Sequence, residues 1–138
     1  MEDNTWILEN ESRVFSIIQA KTRSKVISAF PKARYTTNDE NINSITIFPT
    51  IYISEMNGGS EVGQDIEGKS INGVISTFQV RVSTNTSKND AKKVMGYVLN
   101  AFKDLSFENV GIPITTSNDG IYQCMARFRR VIGASDKL

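Results

Sequence analysis

Two long stretches of alternating apolar and polar side chains constrain the fold of this 138-residue chain most strongly. They run from Ile71 to Thr84 and from Ile121 to Ile132. Successive side chains of a β-strand point to opposite faces of a sheet, so each stretch is predicted to be a strand with one wet face. One face of each predicted strand is apolar: it holds Val74, Phe78, Val80 and Val82 in the first stretch and Tyr122, Cys124, Ala126 and Phe128 in the second. The other face is polar: it holds Thr77, Gln79, Arg81 and Ser83 in the first stretch and Gln123, Arg127 and Arg129 in the second.

Two helices are predicted around these strands. A broken helical stripe of apolar residues runs from about Asn10 to Phe30, and Pro31 ends it. Ser87 begins the second helix with a sequence resembling a capping box that uses a shorter acid, Asp90. Its apolar positions recur at helical spacing: Ala91, Val94, Met95, Val98, Phe102 and Leu105. Gly96 within this helix costs about 1 kcal/mol relative to Ala and could permit a close contact.

Three shorter features complete the predicted fold. Residues 45–54 are typical of a strand interrupted by Pro49, and Val110–Thr116 of a short strand. Asn118-Asp119-Gly120 supplies hairpin turn chemistry before the last long strand. The chain is therefore predicted to be one α+β domain spanning residues 1–138. It would have a mainly antiparallel, four- to five-stranded sheet with both helices packed on one face.

The charge balance and the missing histidine argue against several kinds of function. Sixteen Lys and Arg residues oppose fifteen Asp and Glu residues, so no overall field would draw the chain to nucleic acid or to a membrane. The chain has no histidine, which removes the usual acid–base group near neutral pH and the commonest ligand for zinc. We therefore predict no catalytic residues, no metal site and no cofactor.

The single cysteine and the termini fit a chain made in the cytoplasm. Cys124 has no intrachain partner and lies in a strand-like run, so it is predicted to be a small buried hydrophobic residue. The N-terminal residues form neither a signal peptide nor a membrane span. Trp6, Ile7 and Leu8 could form an apolar arm that docks on a neighbouring subunit, or could equally pack under their own helix.

One sequence motif is misleading. Residues 63–70, Gly-Gln-Asp-Ile-Glu-Gly-Lys-Ser, satisfy the glycine, lysine and serine spacing of a phosphate-binding loop. That chemistry needs a strand before the loop and a helix after it, because the helix N-terminus holds the phosphates. Here a strand is predicted to follow the loop, and Asp65 and Glu67 would repel a triphosphate. A chance match in a charged loop is therefore the preferred interpretation.

Four segments together resemble the tail terminator and head–tail joining proteins of long-tailed bacteriophages. They are Ile47-Phe-Pro-Thr-Ile-Tyr-Ile, Gly63-Gln-Asp-Ile-Glu, Val74-Ile-Ser-Thr-Phe-Gln-Val and Ala126-Arg-Phe-Arg-Arg-Val-Ile-Gly-Ala. The likeness covers about residues 12–138. It implies a small sheet flanked by helices and a structural virion protein, not an enzyme, with no catalytic motif to carry over.

The resemblance also implies partners and a place of action. Such proteins assemble as a ring, typically a hexamer, that caps the finished tail tube and joins it to the neck while DNA passes through. The implied partners are further copies of the chain, the tail tube protein, neck or connector proteins and DNA without sequence specificity, with no membrane. The implied location is the tail–neck junction of the virion, after assembly in the host cytoplasm.

Two groups of residues are candidates for contacts within such a ring. The segment from Glu55 to Ser70 is predicted to be a long loop that meets a neighbouring subunit, although an exposed loop without contacts is also open. Its candidate interface residues are Glu61, Gln64, Asp65, Glu67 and Lys69. Arg81, Arg127 and Arg129 are candidates for lining a lumen or contacting another subunit or ring. Protein contact is favoured because tight phosphate binding would hinder sliding DNA.

Three alternatives to a tail terminator stay open at this point. A neck joining protein would share most of the same features. A small nucleotide-binding enzyme would be stabilised by its ligand. A monomeric adaptor that binds nucleic acid or regulates another protein would be favoured by salt-sensitive DNA binding together with no self-association. Tyr52, Tyr97 and Trp6 could anchor interfaces, but aromatic residues more often belong to a core.

Overall fold

The computed structural model describes residues 4–40, 45–56, 71–134, 136 and 138. In chain order the elements are a 3₁₀ helix (Thr5–Glu9), α1 (Asn10–Ala29), β1 (Arg34–Thr36), β2 (Thr50–Glu55), β3 (Gly73–Thr84), α2 (Lys88–Asp104), β4 (Glu108–Asn109), β5 (Ile114–Asn118) and β6 (Ile121–Gly133). The strands form one mixed sheet and the helices pack against it. The predicted α+β class is confirmed.

Among the described residues the sheet has six strands, and β3 and β6 form its centre. Its order is β1-β2-β3-β6, with β4 and β5 both pairing with β6 beyond that. The β3–β6 ladder extends from the pair Gly73 and Gly133 to the pair Thr84 and Tyr122. Every pairing is antiparallel except that of β1 with β2. The mainly antiparallel character agrees with the prediction, whereas the strand count is higher because the very short β1 and β4 have no clear sequence pattern.

The helix boundaries follow from their end residues. Helix α1 ends before Pro31, and the backbone N–H of Phe30 donates to the Val26 carbonyl at 2.7 Å. At the start of α2, Ser87 Oγ accepts the backbone N–H of Asp90 at 3.1 Å, as the capping sequence predicts. The Asp90 carboxylate instead accepts the hydroxyl hydrogen of Thr86, so a neighbouring side chain takes the place of the second capping-box bond.

The core lies between the two helices and the even-numbered face of β3 and β6. Phe78, Val80 and Val82 on β3 are fully buried, and so is Phe128 on β6. The ring of Phe102 in α2 stacks on Phe128, with ring centroids 4.4 Å apart. Phe78 and Phe107 complete this aromatic cluster at tilted or edge-on angles. Cys124 is also buried, and burial raises the pKa of its thiol.

The chain between β4 and β5 differs from its prediction. A strand was predicted over Val110–Thr116, but β5 begins only at Ile114. Gly111 has a φ of +82°, outside the range of a strand, and Pro113 has no N–H to donate to a ladder. The edge of the sheet is therefore interrupted between its two short strands, although the N–H of Val110 still donates to the Arg127 carbonyl at 2.9 Å.

Three other local predictions concern the hairpin turn, Gly96 and Pro49. The hairpin turn is confirmed, because Asp119 and Gly120 both have positive φ angles, +50° and +80°, as a type I′ turn requires. Gly96 does not permit a close contact, since a Cβ placed there would meet no atom within 4 Å. Strand β2 begins immediately after Pro49, consistent with a proline at a strand start.

Candidate functional site

The predicted interface loop falls mostly outside the residues that the structure describes. Its first residue, Glu55, is the last residue of β2, and the N–H of Met56 continues the ladder by donating to the Thr77 carbonyl at 2.7 Å. The chain is described again from Ile71, and β3 follows. A strand therefore comes after the phosphate-loop-like sequence, as predicted. The candidate contacts outside the described residues are Glu61, Gln64, Asp65, Glu67 and Lys69.

The three candidate arginines share the sheet face opposite the helices, as their parity predicts. In the β3–β6 ladder Arg81 is paired with Met125, Arg127 with Gln79, and Arg129 with Thr77. Because these positions alternate with buried core residues, their side chains leave the sheet on the side away from α1 and α2. We call this side of the sheet the open face.

Arg81 is held by its own chain. Its guanidinium forms an ion pair with Asp39, which lies just after β1, and sits over the ring of Tyr52 at 4.7 Å from the ring centroid. Tyr52 is the neighbour of Arg81 across the β2–β3 ladder. A cation over an aromatic ring and beside a carboxylate is neutralised and fixed in position. Arg81 therefore retains little capacity for a phosphate, and Tyr52 packs on it instead of acting as a free anchor.

Arg129 is also paired within the chain. Its Nε and Nη2 atoms donate to Glu108 Oε1 at 3.1 and 2.9 Å. Glu108 lies directly opposite Arg129 in the β4–β6 pairing, so the two short segments bring the charges together. Both side chains are at least half exposed, and an exposed pair of this kind contributes at most about 1 kcal/mol to stability. It does cancel the local positive charge.

Arg127 differs from the other two arginines. Its side chain is exposed and forms no hydrogen bond or ion pair with any residue in the described ranges. Its side chain borders a groove of about 340 Å³ on the open face. The residues that line this groove are Gln79, Val110, Gly111, Ile112, Ile114, Met125, Ala126 and Arg127. Arg127 is the only ionisable group among them, so the groove combines one unpaired cation with mostly apolar walls. We call it the Arg127 groove.

The apolar wall of the Arg127 groove is unusually exposed. Ile112 has 88% and Ile114 62% of its surface accessible, and Val110 is also exposed. The interruption between β4 and β5 turns these side chains away from the core, so nothing in the described structure covers them. The residue roles assigned from the sequence did not include them, since apolar residues at alternate positions predict a half-buried strand. Gly111 and Pro113 were the residues in the sequence that indicated an interruption of this strand.

The other aromatic candidates belong mainly to the core. Trp6 is partly buried and packs against the core cluster, which favours the second of the two interpretations of the N-terminal arm for this residue. Tyr97 also packs on the core, and the Lys25 ammonium lies 6.0 Å from its ring centroid. Leu8 behaves differently, because 79% of its surface is accessible. Only part of the N-terminal segment is therefore packed under its own helix.

Two other kinds of site are absent from the described part of the chain. No three His, Cys, Asp or Glu side chains within residues 4–40, 45–56, 71–134, 136 and 138 are grouped so as to hold a metal ion. In the same ranges no helix is long and apolar enough to cross a membrane.

No protein-family model matches the chain, and no curated protein is significantly similar to it. The function is therefore inferred from the surface chemistry and from the resemblance of the four segments quoted above.

Proposed function

We propose that this protein is a structural subunit of a long-tailed phage, which assembles as a ring on the tail tube and joins it to the neck. The ring would be a hexamer, as is typical of the tail terminators that the sequence resembles. Its central opening would let DNA pass without reading its sequence. On this proposal the protein acts at the tail–neck junction and carries out no catalysis.

The observation that carries the proposal is the character of the open face. Within the described residues no helix covers the open face of the sheet, and an exposed apolar wall of Ile112 and Ile114 lies beside it. Monomeric proteins seldom leave large apolar side chains grouped on a surface unless they bind something there. Such a surface suits contact with another protein subunit.

The state of the arginines supports protein contact over DNA binding. Arg81 and Arg129 are already paired with Asp39 and Glu108, so two of the three candidate cations are neutralised within the chain. Affinity for a nucleic acid backbone depends on the number of phosphates neutralised, and one free arginine contributes little. This pattern fits a ring through which DNA slides, with Arg127 turned toward a carboxylate of a protein partner.

The proposal is tested by measuring the mass of the purified protein by light scattering over a range of concentrations. The same samples are imaged by negative-stain electron microscopy, with and without purified tail tubes. Rings in solution, or rings only at tube ends, are the expected result. A protein that stays monomeric and ignores both tubes and portal–neck complexes would contradict the proposal.

The same samples separate the terminator from its alternatives. Binding to tube ends without binding to portal–neck complexes supports a terminator, and the reverse supports a neck joining protein. Tight binding to duplex DNA that weakens steeply with salt would instead support the nucleic-acid adaptor. A rise in melting temperature with ATP and Mg²⁺ would support the nucleotide-binding alternative.

A further inference from the structure

The N-terminal 3₁₀ helix presents an apolar side chain and an acidic one next to each other. Leu8 is among the most exposed large hydrophobic residues of the described chain. Glu9 is exposed too, and its side chain forms no hydrogen bond or ion pair with any described residue. Trp6 and α1 anchor this short helix to the core. Leu8 and Glu9 thus form an exposed pair at the end of this short helix, which we call the Leu8–Glu9 knob.

The Arg127 groove has the complementary chemistry. Its exposed Ile112 and Ile114 can cover a leucine, and its only charge, Arg127, matches a carboxylate. Charge complementarity of this kind fixes the register of an interface and disfavours wrong partners. The groove therefore offers apolar walls for Leu8 and a cation for the carboxylate of Glu9.

The knob and the groove lie on different parts of the fold. The knob precedes α1, which packs on β2 and α2 in the helical layer. The groove lies on the open face between β6 and the β4–β5 edge, with β3 separating β6 from β2. No hydrogen bond or ion pair joins the described residues of the two surfaces within one copy, so a contact between them would form between copies. A contact between two different surfaces generates a closed ring or a filament.

We propose that the Leu8–Glu9 knob of one copy docks in the Arg127 groove of the next copy. Leu8 then packs against Ile112 and Ile114, while Glu9 forms an ion pair with Arg127. The inference rests on the proposed ring and supplies its head-to-tail interface. It also gives Arg127 a protein carboxylate as its partner, and assigns a role to Ile112 and Ile114, which the sequence did not single out.

The test is a charge exchange between the two surfaces. Glu9→Lys and Arg127→Glu each place like charges at the contact, and each is expected to weaken self-association at least about tenfold. Self-association is measured by sedimentation velocity over a concentration series. Lys93→Glu, which reverses an exposed charge on α2, is the matched control and should assemble like the wild type. Circular dichroism establishes that each variant is folded.

Restoration of the pair gives the decisive readout. The double variant carrying Glu9→Lys and Arg127→Glu should assemble again, because the charges are exchanged and not lost. An equimolar mixture of the two single variants should also assemble, since every knob then finds a groove of opposite charge. The docking is supported if the folded single variants fail to assemble while the double variant and the equimolar mixture both assemble.

The remaining outcomes would overturn the inference in distinguishable ways. If the wild type forms rings and both single variants do so equally well, the knob does not dock in the groove and the ring proposal stands. If folded single variants fail and neither the double variant nor the mixture recovers, the Glu9–Arg127 pairing is wrong. If Arg127→Glu blocks binding to tubes but not self-association, the groove receives the tube protein instead. A wild type that never assembles overturns both proposals.

Discussion

The Glu11 carboxylate, near the start of α1, accepts a hydrogen bond from the backbone N–H of Glu55 at 3.0 Å, which joins the helix to the end of β2. Ser54 Oγ donates to the same oxygen at 3.3 Å. Burial raises the pKa of Glu55, and the negative charge of Glu11 raises it further, while a hydrogen bond with Ser76 lowers it. The native state therefore holds the proton of Glu55 more tightly than the unfolded state does.

This relationship predicts a pH dependence of stability. Because the pKa of Glu55 is raised from its ordinary value of 4.5, its protonation stabilises the fold fully below that value, and this contribution is lost as the pH rises through the raised pKa. Glu55→Gln stays neutral, so it should gain stability relative to the wild type as the pH rises over this interval. Urea unfolding at a series of pH values measures the difference. A difference that is constant with pH would contradict the prediction.

Removing the cap of α2 should lower stability measurably. Ser87→Ala deletes the acceptor of the Asp90 N–H, and the expected cost is about 1 kcal/mol of the free energy of unfolding. Ser87→Asn retains an acceptor and should cost much less. Both values come from chemical denaturation. Equal losses for the two variants would mean that the hydroxyl does not act as a helix cap.

Two glycines should respond to alanine in opposite ways. Gly96→Ala, in the middle of α2, meets no neighbouring atom and should raise the free energy of unfolding by about 1 kcal/mol. Gly120→Ala introduces a side chain at a φ of +80° and should destabilise the protein by about 1 kcal/mol. Thermal unfolding of both variants is the measurement. Stabilisation by Gly120→Ala would show that the turn adopts another backbone conformation.

Substitutions of a core and of a surface apolar residue should affect different properties, stability in the first case and assembly in the second. Phe102→Ala removes the ring that stacks on Phe128 and should cost about 3–5 kcal/mol of the free energy of unfolding. Ile112→Ala changes an exposed side chain, so the stability of the monomer should change by less than about 0.5 kcal/mol. Self-association of Ile112→Ala should nevertheless weaken. A large loss of monomer stability in this variant would assign Ile112 to the fold and not to an interface.

The sequence predicts the parts of the fold that repeat a pattern. The alternation of β3 and β6, the helical spacing of α2 and the turn at Asp119 and Gly120 each involve neighbouring residues, so local physical rules identify them. Strand β1 was not predicted. It has only three residues and depends on parallel pairing with β2, including the bond from the Arg34 N–H to the Pro49 carbonyl at 2.9 Å.

The candidate site was predictable only in part. Parity correctly assigned Arg81, Arg127 and Arg129 to the open face. Their different states depend on residues far away in the chain, since Asp39 is 42 positions from Arg81 and Glu108 is 21 positions from Arg129. Local spacing carries no information about such partners. The exposure of Ile112 could not be predicted from local spacing either, because it depends on where β5 joins the sheet.

The aromatic cluster of Phe78, Phe102, Phe107 and Phe128 has a consequence for motion within the subunit. It unites α2 with the two central strands, so backbone amides there should exchange with solvent only when the whole domain opens. The three-residue strand β1 and the 3₁₀ helix lie outside this cluster and should exchange much faster. A subunit built in this way can adjust its periphery to a neighbour while its slow-exchanging centre keeps one shape.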